Sequence, residues 1–371
     1  AVTALNRGAK LGGFAHNTGE GGISPYHLQG GDLIWQIGTG YFGCRAADGS
    51  FDPGLFRENA SRESVRMIEI KLSQGAKPGH GGILPGRKVT PEIAKIRSVP
   101  VGQTVLSPPR HTSFSTPIEM LEFISRVREL AGGKPVGIKL CLGRSDEVFS
   151  LCRAMMETDL KPDFISVDGG EGGTGAAPLE FSNSIGMPAR DGWAFMHGAL
   201  TATGLRDDIK IIASGKVITG FHLIRAMALG ADGCTSARAM MMALGCIQAL
   251  RCNNDSCPTG VATQNPALYY GLDPADKSAR VARYHESTLE SFFEILNAMG
   301  TAPGAITPDH VFRRVDDTTV RSYSDLYAFP EPEALLNGGK VPLSWKTEWE
   351  ESRADSFGTS APNRLSAFQT A

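Results

Sequence analysis

One stretch of the sequence, PVGIKLCLGRSDEVFSLCRAMMETDLKPDFISVDGGEGG (Pro135–Gly173), predicts the type of fold. It begins with a short apolar run that ends in glycine (Pro135–Gly143), and it closes with a second such run (Pro162–Gly173). Between them, Ser145–Thr158 carries apolar residues at spacings of three and four, which is typical of an amphipathic helix. A strand, a helix and a strand in this order predict a βα unit of a parallel sheet.

The same alternation continues on both sides of this stretch. Helices are predicted over Pro117–Leu130 and Thr219–Gly230. With the two runs above, seven segments are predicted as strands, and the other five are Leu11–Gly22, Arg66–Gly79, Gln103–Pro109, Ile209–Val217 and Ala231–Arg238. The pattern therefore predicts the α/β class and, within it, a (β/α)8 TIM barrel.

A closed (β/α)8 barrel needs eight strands, which is one more than the sequence supplies. The opening AVTALNRGAK is typical of the end of a barrel helix, so the first strand is expected upstream and the sequence is expected to be a fragment. An open Rossmann-type sheet is the alternative, but the G-x-G-x-x-G loop expected after an early strand is missing. The barrel is therefore favoured.

Four glycine-rich runs follow predicted strands, namely NTGEGG, GAKPGHGG, DGGEGGTG and ASGKVITG. Such runs would lie on the carboxyl-end face of a barrel, where barrels build their active sites. Glycine also lets the backbone approach a ligand closely. The arrangement predicts a ligand site on that face.

The composition is that of an ordinary globular protein, with a formal net charge of -2, 41 % hydrophobic residues and 20 % charged residues. Because the balanced charge forms no basic stripe, a small-molecule partner is favoured over nucleic acid. No apolar run is long enough to span a bilayer, and the first residues lack the apolar region of a signal peptide. With an odd number of cysteines, seven, these features predict a cytoplasmic location, although an upstream membrane anchor stays open.

The sequence changes character after residue 268. Ser278–Gly300 has the pattern of one long amphipathic helix. Residues 303–371 are rich in proline and charge, without strand alternation, and are expected to wrap the barrel or to be partly disordered. We therefore predict a barrel domain over residues 1–302 and a helical, otherwise irregular extension over residues 303–371.

Three of the seven cysteines lie close together, at Cys246, Cys252 and Cys257. A structural zinc site usually takes four ligands from paired motifs, and a fourth ligand is absent here. Three thiolates suit a [3Fe–4S] cluster, whereas a [4Fe–4S] cluster would need one more ligand. Zinc, chance buried thiols and an iron–sulfur cluster are the three alternatives. The remaining cysteines are interpreted as buried free thiols, namely Cys44, Cys141, Cys152 and Cys234.

The segment ALGCIQALRCNNDSCPTGVATQNP (Ala243–Pro266) resembles the [3Fe–4S] segment of the glutamate synthase large subunit in its cysteine spacing and in the CP-x-GVATQ that follows. The resemblance covers residues 1–302 through NTGEGG, IKLSQGAKPGHGGILPG, LSPP and GGTGAAP. HNTGEGGISPYH and IWQIGTGYFGCR make the chain most similar to stand-alone members of the FMN-binding glutamate synthase family. The resemblance implies a TIM barrel that binds FMN, and a [3Fe–4S] cluster held by Cys246, Cys252 and Cys257.

The resemblance also implies a reaction, the reductive amination of 2-oxoglutarate to L-glutamate. In the family, electrons pass from the cluster to FMN, and reduced FMN delivers hydride to 2-iminoglutarate. This reaction needs cations for two carboxylates and an acid/base group for the imine nitrogen. The residues that fall on the family's keto-acid positions and on the neighbouring carboxylate position are Glu20, Lys71, Gln74, Lys77 and Arg97.

The resemblance places the flavin on the strand ends. Lys139 is expected at the N1/C2 carbonyl edge, where a cation stabilises the anionic reduced ring. The residues implied along the isoalloxazine and the ribityl chain are Ser107, Asp168, Gly169, Gly172, Gly173 and Thr174. The residues implied at the phosphate are Ser214, Gly215, Ala237 and Arg238.

Two positions depart from the family motif KPGEGGQLPG: His80 replaces an acid, and Ile83 replaces a glutamine associated with the substrate site. His80 could donate a proton or could bond only to the backbone. The alternatives to glutamate synthesis are therefore an FMN oxidoreductase for a different oxo acid or imine, and a flavin and iron–sulfur electron carrier without its own substrate. The resemblance further implies a separate electron donor, such as a ferredoxin or a reductase subunit, and a separate source of ammonia.

Overall fold

The computed structural model describes residues 1–172, 177–252 and 254–358, and its strands form one main sheet and two small ones. The main sheet has seven parallel strands, which in their order across the sheet are β1 (His16–Asn17), β2 (Leu33–Ile37), β3 (Val65–Lys71), β6 (Val136–Cys141), β7 (Phe164–Asp168), β8 (Lys210–Ala213) and β9 (Gly233–Cys234). The small sheets are antiparallel pairs, formed by β4 (Ile83–Leu84) with β5 (Val105–Leu106) and by β10 (Phe312–Arg314) with β11 (Val320–Ser322).

Helices alternate with the strands of the main sheet. The α-helices of the described residues are α1 (Val2–Gly12), α2 (Pro53–Ala60), α3 (Pro91–Arg97), α4 (Pro117–Leu130), α5 (Ser145–Thr158), α6 (Ala189–Ala202), α7 (Gly220–Ala228), α8 (Arg238–Leu244), α9 (Pro266–Tyr269), α10 (Pro274–Met299), α11 (Tyr323–Leu326) and α12 (Leu343–Glu351). Short 3-10 helices lie at Pro25–His27, Gly86–Lys88, Pro303–Ala305 and Pro308–His310. Among the helices described, none combines the length and the apolar composition needed to cross a membrane.

The main sheet is curved, so that strands which are not neighbours meet on its inner face. The Glu69 side chain of β3 accepts hydrogen bonds from Asn17 of β1 and from Ser166 of β7, although another strand separates β3 from each of them. On the outside, α10 packs against α1, α7 and α8. A Cβ atom at Gly8 would lie 2.5 Å from Val281, so only glycine allows this approach of α1 to α10. These contacts give the sheet the form of a partial (β/α) barrel, as the sequence predicts.

The core lies between the main sheet and the helices that cover it. Large side chains from both layers are fully buried there, among them Trp35, Phe56, Ile68, Phe149 and Trp193. Burial of one such side chain contributes about 1.5–3 kcal/mol to the free energy of unfolding. The core thus holds the strands in a fixed arrangement below the loops that carry the polar residues.

Two strand assignments differ from the sequence prediction. Gln103–Pro109 was predicted to join the main sheet, and this prediction is wrong because β5 pairs with β4 instead. The prediction also missed β2, whose sequence LIWQI pairs with β3. This short run shows no regular alternation of apolar and polar residues by which to recognise a strand. Periodicity also does not say with which strand a segment pairs, because the partner is distant in the sequence.

The described part of the C-terminal extension, residues 303–358, packs on α5 and α6. Trp345 of α12 meets Phe195 edge to face, with 5.0 Å between the ring centroids. Arg153 of α5 donates a hydrogen bond of 2.6 Å to the carbonyl oxygen of Trp349 and lies 3.9 Å above the centre of its ring. Arg153 also donates to the hydroxyl of Ser352 at 2.8 Å. These contacts fasten the extension to the barrel, and residues 359–371 lie outside the described residues.

We expect Arg153→Met to lower the free energy of unfolding by about 1.5–3 kcal/mol, because the carbonyl oxygen of Trp349 and the hydroxyl of Ser352 lose a charged partner. Urea unfolding measures the loss, and limited proteolysis should cut the extension sooner. Arg353→Met is the matched control, since Arg353 forms an exposed pair with Asp355 inside the extension. Equal stability of the two variants would contradict the fastening role of Arg153.

Candidate active site

A polar cavity lies at the carboxyl ends of the strands, on the face where the glycine-rich runs predict a site. Its walls come from the loops after β1, β2, β3 and β5. The lining residues are Glu20, Thr39, Lys71, Leu72, Ser73, Gln74, Lys77, Gly79, His80, Gly81, Gly82, Pro108 and Pro109. Loops at this end of a barrel can vary without disturbing the core, which is why barrels place their chemistry there.

Lys71 is the last residue of β3, and its side chain is only 11 % exposed. Its ammonium lies 3.1 Å from the Glu20 carboxylate and 3.1 Å from the side-chain oxygen of Gln74. Burial lowers the pKa of Lys71 below its ordinary value; Glu20 opposes this change, and the nearby charge of Lys139 adds to it. Lys71 therefore gives up its proton more readily than an exposed lysine does.

Glu20 is surrounded by cations. Burial alone would raise the pKa of its carboxyl group, but Lys71, Lys77 and Arg97 together lower that pKa below its ordinary value. Glu20 is therefore an anion at neutral pH. Its charge offsets part of the positive charge around the cavity.

Arg97 is the last residue of α3, which lies in the long connection between β3 and α4. Its charge acts on Glu20. Its guanidinium lies over the Phe42 ring, 5.0 Å from the ring centroid. A Cβ atom at Gly21 would lie 3.0 Å from the Arg97 guanidinium, so glycine at this position leaves the room that Arg97 occupies. Burial lowers the pKa of Arg97, while Glu20 raises it.

The structure thus brings together all five residues that the resemblance assigns to the keto acid and its neighbourhood. Glu20, Lys71, Gln74 and Lys77 line the cavity, and Arg97 lies close enough to interact electrostatically with Glu20. The Lys77 ammonium makes one contact, of 3.4 Å, with the carbonyl oxygen of Gly81. Three cations face one carboxylate, and this imbalance suits an anionic ligand.

A second ion pair lies beside the first, between Lys139 of β6 and Asp168 of β7. The Lys139 ammonium is 3.4 Å from Asp168, and the two side chains are 19 % and 6 % exposed. Burial alone would lower the pKa of Lys139, but Asp168 and Glu69 raise it above its ordinary value. Lys139 pairs in register with Lys71, so a firmly charged lysine lies next to one that is easier to deprotonate.

Asp168 also joins three loops of the carboxyl-end face. Its carboxylate accepts hydrogen bonds from the backbone N–H of Gly75 at 3.1 Å and from the Ser214 hydroxyl at 3.2 Å. A Cβ atom at Gly75 would lie 1.9 Å from the carbonyl oxygen of Gly169, so the loop after β3 touches the end of β7 backbone to backbone. Asp168 is therefore saturated with protein donors and orients Lys139.

The resemblance assigned further residues to the flavin, and those within the described residues lie in or after β5, β7, β8 and β9. Gly172 donates to the carbonyl oxygen of Gly169 at 2.8 Å, and Gly215, with a φ of 123°, approaches Gly169. Ser107 donates its N–H to the carbonyl oxygen of Gly82 in the cavity wall at 2.8 Å. Ala237 precedes α8 and Arg238 begins it, after β9. Gly173 and Thr174 lie outside the described residues.

Sequence reasoning missed a buried polar network under the two lysines. Glu69, which is 2 % exposed, accepts hydrogen bonds from Asn17 at 2.8 Å, Gln36 at 2.6 Å and Ser166 at 2.6 Å. The available signal was the sequence MIEIK, in which Glu69 and Lys71 share one face of a strand whose neighbours are apolar. A buried charge of this kind is a candidate functional residue.

The two residues that depart from the family motif, His80 and Ile83, differ in their position relative to the cavity. His80 lines the cavity, its Nδ1 lies 2.7 Å from the carbonyl oxygen of Gly81, and its ring meets Phe181 edge to face. Ile83 lies in β4 opposite Leu106, and both side chains are exposed. Of the two, His80 is the one in the cavity wall.

The structure does not gather the three neighbouring cysteines into one ligand set. Cys246 and Cys257 belong to a small apolar cluster that also contains Val281. Cys252 instead accepts a hydrogen bond of 2.9 Å, at its carbonyl oxygen, from the ammonium of Lys88. Within the described residues, no three His, Cys, Asp or Glu side chains come close enough together to hold a metal ion. The other four cysteines are free and buried or half-buried, as predicted.

The cysteine segment still has two features that are typical of a binding loop. Burial alone would raise the pKa of Cys257, but the Thr259 hydroxyl and backbone N–H groups lower it, which favours the thiolate that a metal requires. Three non-glycine residues of the segment, Gln248, Leu250 and Asp255, have left-handed backbone angles with φ of 56°, 53° and 63°. Such strain tends to cluster at functional sites. The thiol chemistry fits an iron–sulfur ligand at Cys257, whereas the arrangement of the three thiols does not.

Fold and cavity together define a parallel barrel-type α/β protein with a cation-rich site at the carboxyl ends of its strands. Residues 1–302 match the family model described as the conserved region in glutamate synthase. The chain therefore belongs to the glutamate synthase family, as the resemblance indicates.

Relatives with curated names agree with this assignment. The glutamate synthase large subunit-like protein YerD of Bacillus subtilis is 43 % identical over 329 residues, which are 88 % of this chain and 62 % of YerD. The archaeal glutamate synthase [NADPH] of Methanocaldococcus jannaschii is 34 % identical, over 81 % of this chain and 56 % of that protein. The chain thus spans a little over half the length of these relatives.

A solved structure supports the fold independently of the sequence. A mutant flavocytochrome b2 with benzoylformate has a TM-score of 0.51 at 14 % identity, over 83 % of this chain and 64 % of that chain. At this identity the similarity concerns the fold alone.

Proposed function

We propose that the chain is the synthase part of an FMN-dependent oxidoreductase that reduces the imine of 2-oxoglutarate and ammonia to L-glutamate. The observation that carries the proposal is the convergence of Lys71, Lys77 and Arg97 around Glu20, beside the Lys139–Asp168 pair. A dicarboxylic oxo acid brings two negative charges to this cavity. Membership of the glutamate synthase family supports the choice of substrate.

The residues at the strand ends suit FMN. When bound, FMN supplies the hydride that reduces the imine carbon. Lys139 offers a charged donor for the electron-rich edge of the ring, Ser107 would lie along the ring or the ribityl chain, and Ser214 would hold the phosphate with its backbone amide. Further residues that would hold the ring, the ribityl chain and the phosphate are Asp168, Gly169, Gly172, Gly215, Ala237 and Arg238, with Gly173 and Thr174 in the segment outside the described residues.

The side chains of this protein contribute binding and proton transfer. Lys77 and Arg97 would neutralise the two carboxylates of the oxo acid. Lys71 is held between Glu20 and Gln74, and its lowered pKa suits a group that passes a proton to the substrate nitrogen. Glu20 would keep Lys71 in position through their ion pair.

A second candidate is the reduction of a different oxo acid or imine at the same site. His80 favours it, because its imidazole lines the cavity where the family motif has an acid. The electron carrier without a substrate is disfavoured, since a carrier has no need of a carboxylate clamp. Both enzymatic candidates need a separate electron donor, such as a ferredoxin or reductase subunit, and a source of ammonia or an amine.

The [3Fe–4S] cluster stays part of the proposal because of the cysteine spacing and the stabilised thiolate of Cys257. Its binding requires that the segment which carries Cys246, Cys252 and Cys257 rearranges, because the three thiols do not form a metal site in the described residues.

The decisive experiment is anaerobic purification of the full-length protein, followed by determination of flavin and iron. The flavin is then reduced with dithionite and mixed with a panel of oxo acids, each with and without ammonia. We expect 2-oxoglutarate plus ammonia to reoxidise the flavin faster than either compound alone. Reoxidation by another oxo acid only would support the second candidate, and no response to any acid would contradict both.

We expect Lys77→Met and Arg97→Met each to weaken 2-oxoglutarate binding by roughly tenfold to a hundredfold. Each variant loses a charge-assisted contact with a carboxylate of the oxo acid, which is worth about 1.5–3 kcal/mol. Titration calorimetry measures the dissociation constant, while flavin and iron contents should stay unchanged. Lys95→Met is the matched control, because Lys95 is exposed on the same helix as Arg97. If Lys77→Met binds like the parent protein, Lys77 is only a surface charge.

A further inference from the structure

Glu69 is a carboxylate in the interior of the barrel, below the cavity. It is 2 % exposed, and its three hydrogen-bond donors come from β1, β2 and β7. A buried carboxylate is costly unless it is hydrogen-bonded and balanced by a positive charge. The donors Asn17, Gln36 and Ser166 are neutral, so the hydrogen bonds fix the position of the charge without cancelling it.

Lys139 is a cation on which the charge of Glu69 acts. Ser166 donates to Glu69 and pairs in register with Lys139 on the neighbouring strand. Glu69 is one of the groups whose charge acts on Lys139. Because Glu69 is locked by three donors, its field on Lys139 has a fixed direction and size.

The charged and titratable groups around Lys139 come from several elements. Asp168 of β7 and Glu69 of β3 are the principal anions, and Glu20 contributes from the loop after β1. Lys71 of β3 is the neighbouring cation, and Cys141 lies on the same strand as Lys139. Lys139 and Lys71 thus lie among three carboxylates, of which Glu69 is the least exposed.

We propose that Glu69 is a positioning residue: it holds the Lys139 ammonium in place from below and sets how strongly the site attracts negative charge beside Lys139. Asp168 holds Lys139 from the side, and Glu69 reduces the positive field that reaches the cavity. A residue in the barrel interior thereby influences the electrostatics of the site, in addition to supporting the strands around it. The effect of Glu69 on Lys139 does not depend on the proposed function. The effect of Glu69 on bound flavin rests on the proposed function.

The first test needs no cofactor. The pKa of Lys139 is raised in the folded protein, so its ion pairs contribute full stability below the ordinary lysine pKa, and this contribution is lost as the pH rises through the folded value. Glu69→Gln removes one cause of the raised pKa. We therefore expect the total loss of stability between pH 7 and 11 to be smaller in Glu69→Gln than in the parent protein, as measured by urea unfolding at a series of pH values in that range.

Ser166→Ala is the matched control, because it removes a hydrogen bond to Glu69 but leaves every charge in place. Its stability should be lower than that of the parent by the same amount at every pH. If the curve of Glu69→Gln is also parallel to that of the parent, Glu69 has only a structural role and the proposal is overturned.

The second test uses bound FMN. Without the charge of Glu69, the anionic reduced ring is favoured, so the ratio of reduced to oxidised FMN affinity should increase about tenfold in Glu69→Gln. For a two-electron couple this corresponds to a rise of about 30 mV in the midpoint potential. Ser166→Ala should leave the potential unchanged, and an unchanged potential in Glu69→Gln would overturn the part of the proposal that concerns flavin. If the parent protein binds no FMN, the proposed function fails, whereas the alkaline test still judges Glu69.

Discussion

Lys139→Met is expected to lower the free energy of unfolding by about 3–5 kcal/mol and to release FMN, which makes it the most damaging single change in the site. Its ammonium lies 3.4 Å from Asp168, whose side chain is 6 % exposed. Removal of one partner of a buried ion pair leaves an uncompensated charge, and a loss of this size is typical of that situation. The charge of Glu69 would also lose a cation with which it interacts electrostatically.

The measurement combines urea unfolding of the flavin-free protein with flavin content after purification. Lys210→Met is the control, because Lys210 is exposed at the start of β8. Lys139→Arg keeps the charge and should recover most of the stability, though not the fit to the flavin. Normal stability of Lys139→Met would show that Asp168 is held adequately by its other donors, Gly75 and Ser214.

Replacement of any one of Cys246, Cys252 and Cys257 by Ser is expected to abolish iron binding in protein purified anaerobically. The spacing supplies three thiolates and no spare, so a cluster with three ligands loses one iron position in each variant. Iron analysis and the low-temperature EPR signal of the oxidised cluster measure the result. The expected change is complete loss of the signal, in contrast to the graded effects in the cavity.

Cys234→Ser is the control for the cysteine variants, since Cys234 is a free thiol at the end of β9, before this segment. Its iron content should equal that of the parent protein. Full iron content in all three test variants would refute the cluster. If the parent protein binds iron, the segment must rearrange, because the three thiols do not form a metal site within the described residues.

The sequence predicted the helices near the centre of the chain to the residue. Pro117–Leu130 and Ser145–Thr158 coincide with α4 and α5. Thr116 and Glu119 form a capping box at the start of α4, and Pro117 occupies its first turn. Caps and apolar spacing act within a few residues, so the local sequence carries the whole signal.

The candidate site was predictable in part. Lys71, Gln74 and Lys77 lie within seven residues of sequence, at the end of a strand and in the loop after it. Arg97 belongs to a different element, and only the family motif connected it with them. His80 was recognised as a departure from the motif beside the expected ligand, and it lines the cavity. The sequence identified the candidate residue types, and only the resemblance indicated that they belong to one site.

By itself, the sequence determined the α/β class, helices such as α4 and α5, and the end of the sheet at which the cavity lies, because each follows from local periodicity or from glycine after strands. Only the tertiary structure decided that β5 pairs with β4 rather than with the main sheet, and that Glu69 meets Asn17 and Ser166 inside the barrel. Strand partners and buried networks depend on residues far apart in the chain. Their energy comes from contacts that exist only once the sheet has curved, so no local pattern encodes them.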